Sequence, residues 1–257
     1  MTTMSPDTER SLFRSGDAYQ SHRPDYPATL FEWLARHSPG RQAALDLGCG
    51  SGQACRALEP WFDQVLGADI SLAQLGGAPT GASRYLAARA DALPVTDNSL
   101  DLITVAQALH WFPLPDFFRE AERVLRDGGL LAVISYGLCS VSGLEGLIED
   151  FHDRTLKPWW PAARWMVIEG YRNVALPWPE IDEQPRIPLT RQWRWQDMAG
   201  YLDTWSALVK AREAGEDPLA AFLPTLEQRW GNGYRTVQWP LRVRGCTRPP
   251  RTPSEDN

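Results

Sequence analysis

The sequence predicts an α/β protein built on a doubly wound, mostly parallel sheet. An apolar run over residues 43–47 passes through Asp46 into three glycines at alternate positions, Gly48, Gly50 and Gly52. A buried strand that runs through a glycine turn into a helix is the opening unit of such a sheet. Further apolar runs follow at Gln64–Ala68, Tyr85–Ala88, Leu100–Ala106 and Leu130–Tyr136, with helical patterns between several of them. The length of 257 residues fits one domain with elaborations or with a cap, and 43% hydrophobic with 23% charged residues is ordinary for a globular chain.

The glycine turn is the most informative stretch. Each glycine permits positive φ or lets a ligand approach the backbone with no Cβ in the way. Residues 53–58 have helical character, so the turn opens a helix whose free N–H groups face the ligand. A dinucleotide fingerprint needs G-x-G-x-x-G or a closing alanine. The third position is Gln53 counted from Gly48 and Cys55 counted from Gly50, so both registers fail. The observed G-x-G-x-G, with Asp46 two places before the first glycine, resembles motif I of class I S-adenosylmethionine-dependent methyltransferases.

The rest of the first half agrees with that resemblance in order. Residues 1–11 are polar and read as a disordered leader. Residues 12–40 read as an N-terminal lid and helix. The stretch from Tyr19 through Arg23-Pro24-Asp25-Tyr26-Pro27 looks like the leader of a subset of small-molecule methyltransferases. Its two X-Pro steps favour extended structure. Residues 28–37 carry apolar side chains at 30, 31, 33 and 34, as an amphipathic helix does. Residues 41–137 form the expected cofactor-binding core. Asp69, 21 positions after Gly48 at the end of the second strand, is placed to accept hydrogen bonds from ribose hydroxyls. It also suits a helix N-cap. The resemblance implies that Asp91, after the third strand, meets the adenine amino group. The helix Asp116–Arg126 is expected to close on a glycine cap at Asp127-Gly128-Gly129.

The second half is less regular. Residues 138–182 read as a helical cap or substrate insertion after the fifth strand, and 183–246 as the C-terminal part of the core sheet. The latter includes a strand at Ile187–Thr190, a helix over Trp195–Arg212, another over 219–230 and a last strand over Thr236–Arg244. Residues 247–257 read as a disordered tail. Seven of the twelve tryptophans fall between Trp159 and Trp205, which suggests a partly aromatic pocket, although a large indole is usually core. The Tyr-Leu-x-Thr-Trp-Ser-Ala helix at 201–207 and the Trp-Pro-Leu strand resemble the trans-aconitate-methyltransferase-like subgroup.

The resemblance implies a seven-stranded, Rossmann-like sheet and S-adenosylmethionine as cofactor. The cofactor residues it implies are Tyr19, Arg23, Asp46, Gly48, Gly50, Gly52, Asp69, Ile70, Gln74, Asp91, Ala92 and Gln107. The acceptor is expected to be a small molecule, for instance a carboxylate, held by residues among Trp111, Arg164, Arg172, Tyr201 and Trp205. A carboxylate is already ionised at pH 7 and needs no base, whereas arginine can grip it bidentately. A hydroxyl or amine would make a base useful, and His110, after the fourth strand, is the candidate. A methyltransferase-like binder without turnover and a nicotinamide-dependent oxidoreductase are the alternatives.

A net charge of −6 argues against a nucleic-acid partner. The four cysteines form no C-x-x-C pair, and no metal is expected. No apolar run reaches membrane-spanning length, and residues 1–10 lack signal-peptide features, so the expected location is cytoplasmic. The expected state is monomer or dimer.

Overall fold

The computed structural model describes residues 23–251. The leader, most of the lid with Tyr19, and residues 252–257 lie outside the described residues. Helix α1 (Ala28–His37) precedes strand β1 (Ala43–Leu47), helix α2 (Gln53–Leu58), β2 (Gln64–Asp69), α3 (Leu72–Gly76) and β3 (Arg84–Ala87). Then come β4 (Leu100–Ala106), a short 3-10 turn (Leu109–Trp111), α4 (Leu114–Val124) and β5 (Leu125–Tyr136).

The central sheet has the order β3-β2-β1-β4-β5 and ends on β9 (Leu241–Thr247). All its pairs are parallel except β5 with β9. Alternation along the strands builds a core on each face. Leu45, Ile103, Leu131 and Val133 pack under α4 through Phe117, Ala121 and Val124. Ala44, Leu102, Leu130 and Ile134 pack under α1 and α2 through Leu30, Phe31, Leu34 and Cys55. The strands carry apolar side chains on both faces because both are covered.

Among the described residues the sheet has six strands where seven are expected. The candidate for the missing edge strand makes one bridge to β9, Glu180↔Cys246, with Ile181 N donating to Gly245 O at 2.8 Å, and is otherwise held by side chains, Gln184 on Gly245 and Arg244 on Glu180. Pro177 and Pro179 both precede that bridge. Proline has no N–H, and residues two apart address the same neighbour, so one edge loses successive donors.

Of the stretch expected to complete the core sheet, the C-terminal strand β9 does so, while most of what precedes it builds a second lobe. Strands β6 (Ser140–Val141), β7 (Leu189–Trp193) and β8 (Arg235–Trp239) make an antiparallel sheet in the order β6-β8-β7. Helices α5 (Leu147–Asp150), α6 (Arg164–Ile168), α7 (Trp195–Asp203), α8 (Ser206–Glu213) and α9 (Pro218–Trp230) belong to this half of the chain. The expected helix over Trp195–Arg212 is broken at Thr204-Trp205, where Trp205 turns into extended backbone and is buried. The expected last strand is split at Pro240, which cannot donate to a ladder, so the chain leaves one sheet and enters the other there.

The glycine pair Gly128-Gly129 does not cap α4. Leu125 is already paired with Leu100, and the register jumps to Leu102↔Leu130, so residues 126–129 form a bulge turned by Gly128 at φ 77°. The stretch read as a tail starts inside β9. Arg248 is buried and donates to Asn98 Oδ1 at 2.8 Å and Leu125 O at 2.7 Å. Among the described residues no helix is long and apolar enough to cross a membrane.

Candidate active site

Strand order reverses between β1 and β4, so their connections leave in opposite directions and open a crevice at the carboxyl edge. A cavity of about 840 Å³ fills that crevice, within the range of small-molecule sites. The glycine turn forms one wall. Gly48, at φ +69°, has its N–H on Ala68 O at 2.7 Å, and a Cβ there would collide with Ala108. Gly50, at φ +55°, has only Gln74 Oε1 near a notional Cβ, at 3.5 Å, so a side chain there would project into cavity space. Gly52 does not line the cavity. At φ +80° it lies against the Tyr85 phenol, so its missing Cβ serves packing.

Three carboxylates face the cavity. Asp69 accepts Gly50 N through Oδ2 and Ser71 N through Oδ1, both at 2.8 Å. The N-cap of α3 is the Ser71 side chain, so Asp69 is not the cap. Asp46 is buried, accepts from Thr104 Oγ1 at 2.7 Å, and has its pKa pushed up to about 7. Desolvation is the main cause; the Thr104 hydrogen bond opposes it and the charge of Asp69 adds to it. Asp91 is gripped by the Arg89 guanidinium at 2.9 and 2.7 Å, and that pairing lowers its pKa.

Arg23, Ile70, Gln74, Gln107 and Trp111 line the same cavity, whereas Ala92 lies beside it. Gln107 adopts φ 60°, rare for a residue with a side chain, and donates Nε2 to Tyr136 O at 3.4 Å. Arg23 donates to the Tyr136 hydroxyl at 3.1 Å and to Thr204 O at 3.3 Å, and lies 5.5 Å from the Tyr201 ring. It therefore ties the sheet edge to the break between α7 and α8.

The remaining candidates sit elsewhere. His110 is outside the cavity lining, with Nδ1 3.0 Å from the Tyr171 hydroxyl. Burial and the nearby Arg164 charge depress its pKa to about 3, which leaves the imidazole neutral. Tyr201 and Trp205 are core of the second lobe. Arg164 lies over the Trp160 ring at 5.0 Å. Arg172 is an exposed residue paired with Glu169. Conversely, Tyr26, Arg89, Phe112 and Tyr136 line the cavity without having been singled out as site residues. Tyr136 was findable, since it closes an apolar run at the sheet edge where ligands bind. Arg89 and Phe112 carried no signal beyond proximity.

Comparison with known proteins agrees with this geometry. Residues 45–133 match the family model described as a methyltransferase domain. A methyltransferase-family protein of Dictyostelium discoideum is 32% identical over 228 residues, covering 86% of this chain and 84% of its own. The solved structure of a type II methyltransferase-family protein from Anaeromyxobacter dehalogenans superposes with a TM-score of 0.82 at 36% identity, covering 89% of this chain and 99% of that one. A malonyl-[acyl-carrier protein] O-methyltransferase of Dechloromonas aromatica is 35% identical over 111 residues, 42% of each chain. With the glycine turn, the ordered carboxylates and a relative matched over most of both chains in agreement, the chain belongs to the class I S-adenosylmethionine-dependent methyltransferases.

Proposed function

We propose that the chain transfers the methyl group of S-adenosylmethionine to a small molecule. The observation that carries this reading is the cavity at the β1/β4 crevice, floored by glycine backbone and faced by Asp46, Asp69 and Asp91. When bound, the cofactor supplies a methyl group already activated by its sulfonium.

The residues suit each part of that molecule. Each Asp69 oxygen spends one lone pair on a backbone N–H and keeps another for a ribose hydroxyl. Asp91 is held in place by Arg89 and accepts from the adenine amino group. Asp46 is a buried carboxylate suited to the cationic amino-acid end, and a cation beside it favours its ionised form. Gly50 leaves room for close approach. Tyr26, Trp111, Phe112 and Tyr136 line the cavity with aromatic surface against which an acceptor can pack. His110 is neutral and set back from the cavity, so the chemistry rests on orientation of two reactants and exclusion of water rather than on a histidine base.

Calorimetric titration with S-adenosylhomocysteine, run beside NAD and the Asp69→Ala variant, tests the reading. Saturable binding of the sulfur nucleoside is expected, weakened in the variant by about 1–3 kcal/mol, as for loss of a charged hydrogen-bond partner. Binding of NAD alone would overturn it.

A further inference from the structure

The chain after β3 turns sharply at residues 89–92. The bridge Arg89↔Ala92 closes the turn, with Ala92 N donating to Arg89 O at 3.3 Å. Ala90 is buried in the same core as Phe117, which ties the turn to α4. Helix α4 also holds the residue that follows. Leu93 N donates to Glu120 Oε1 at 2.6 Å, and Arg123 Nη2 donates to Leu93 O at 2.9 Å. The backbone that carries Arg89 and Asp91 is therefore fixed from both sides.

On this turn the two side chains meet edge to edge. Arg89 Nε donates to Asp91 Oδ1 at 2.9 Å, and Nη2 donates to Oδ2 at 2.7 Å. A guanidinium has five N–H donors. Two are spent on Asp91, which leaves both protons of Nη1 and one of Nη2. Each Asp91 oxygen likewise keeps a lone pair. Both residues line the cavity at the β1/β4 crevice. The Arg89 side chain is 63% exposed, and an ion pair this open adds little to folding. What sets it apart is its place on the cavity wall, where it offers acceptors and donors side by side.

Adenine carries the complementary edge. Its exocyclic amino group donates, and the ring nitrogens on either side of that group accept. A carboxylate only accepts and a guanidinium only donates. Asp91 therefore suits the amino group, and the donors beside it suit a flanking ring nitrogen. A base with C–H at that position would leave the guanidinium without its partner.

We propose that Arg89 reads the adenine ring directly, donating to one of the two ring nitrogens that flank the amino group held by Asp91. Arg89 then has two roles, orienting Asp91 and contacting the base. This inference rests on the methyltransferase reading above.

Calorimetry on the full chain tests it, with S-adenosylhomocysteine and its 1-deaza and 7-deaza analogues as probes. Each analogue replaces one flanking ring nitrogen by C–H. One of the two is expected to bind the native chain about tenfold more weakly, as for loss of a hydrogen bond from a charged donor. Arg89→Met keeps an unbranched stem and removes the donors. In that variant S-adenosylhomocysteine should weaken about tenfold, and the discriminated analogue should lose nothing further. A role confined to supporting Asp91 would instead weaken all three nucleosides equally, and that result would overturn the proposal. The ranking on the native chain is an independent criterion: three equal affinities there also overturn it. If S-adenosylhomocysteine binds without this discrimination, the Arg89 contact alone falls; if it does not bind, the methyltransferase reading falls with it.

Discussion

Asp46→Asn isolates a buried charge that opposes folding. Burial raises the Asp46 pKa from 3.8 to about 7. A carboxyl with a raised folded-state pKa contributes stability that is fully present below its unfolded value and is lost as pH rises through the folded one. At about 1.4 kcal/mol per unit, the whole shift corresponds to roughly 4 kcal/mol, of which about 2–3 kcal/mol falls between pH 5 and 8. His110 works the other way. Its pKa drops from 6.5 to about 3, so acid below pH 6.5 favours the unfolded chain. In the native sequence the two slopes nearly cancel between pH 5 and 6.5, and the loss from Asp46 then shows up to about pH 7. Asparagine keeps the acceptor for Thr104 Oγ1 and removes the titration. Urea unfolding at matched ionic strength should therefore find a variant that gains roughly 2–3 kcal/mol on the native chain as pH goes from 5 to 8. A stability difference that stays constant across that range refutes the assignment of the buried charge. Cofactor affinity should move oppositely: S-adenosylhomocysteine binds the native chain more tightly as pH rises through about 7, and Asp46→Asn loses that dependence.

Other outcomes follow from the same geometry. His110→Gln should remove the acid-side loss, worth about 2 kcal/mol between pH 6.5 and 5, while methyl transfer persists; a collapse of kcat in a folded variant would restore the histidine as a base. Gly50→Val has room in the backbone trace but an unfavourable positive φ, so it should cost about 1–2 kcal/mol of stability and abolish nucleoside binding by calorimetry. Gly52→Ala should cost more, roughly 2–3 kcal/mol, because its Cβ meets the Tyr85 phenol; Tyr85→Phe, which removes the hydroxyl, should recover part of that loss, and no recovery would mean the backbone strain dominates.

The first half was legible because each element there carries a local signature. The apolar run, the glycines and Asp69 are consecutive constraints on one strand–turn–helix unit, and the parallel strands, covered on both faces, read as unbroken apolar segments. The second half was not. Leu125 looks like the end of a helix and is the start of a strand, because what places it is the partner Leu100 and the distant Arg248, neither of which is local. Trp195–Arg212 has helical composition throughout, and the break at Trp205 reflects burial of its indole against Phe151 and Trp160. Composition identified the tryptophan cluster but could not tell that Trp205, Trp230 and Trp239 form the lobe's core. The aromatic lining of the cavity draws on Tyr26, Trp111 and Tyr136, far apart in sequence and brought together by the fold.

The antiparallel partner of β5 has a consequence for how the chain is made. Leu130–Tyr136 pairs along its outer side with Leu241–Thr247, more than a hundred residues later. During synthesis the parallel strands can dock while that outer side still shows a row of unmatched amides and carbonyls beside strongly apolar side chains. Such an edge recruits other strands. Until residues 241–247 are made and close the ladder, the outer side of β5 therefore stays open to pairing with other strands.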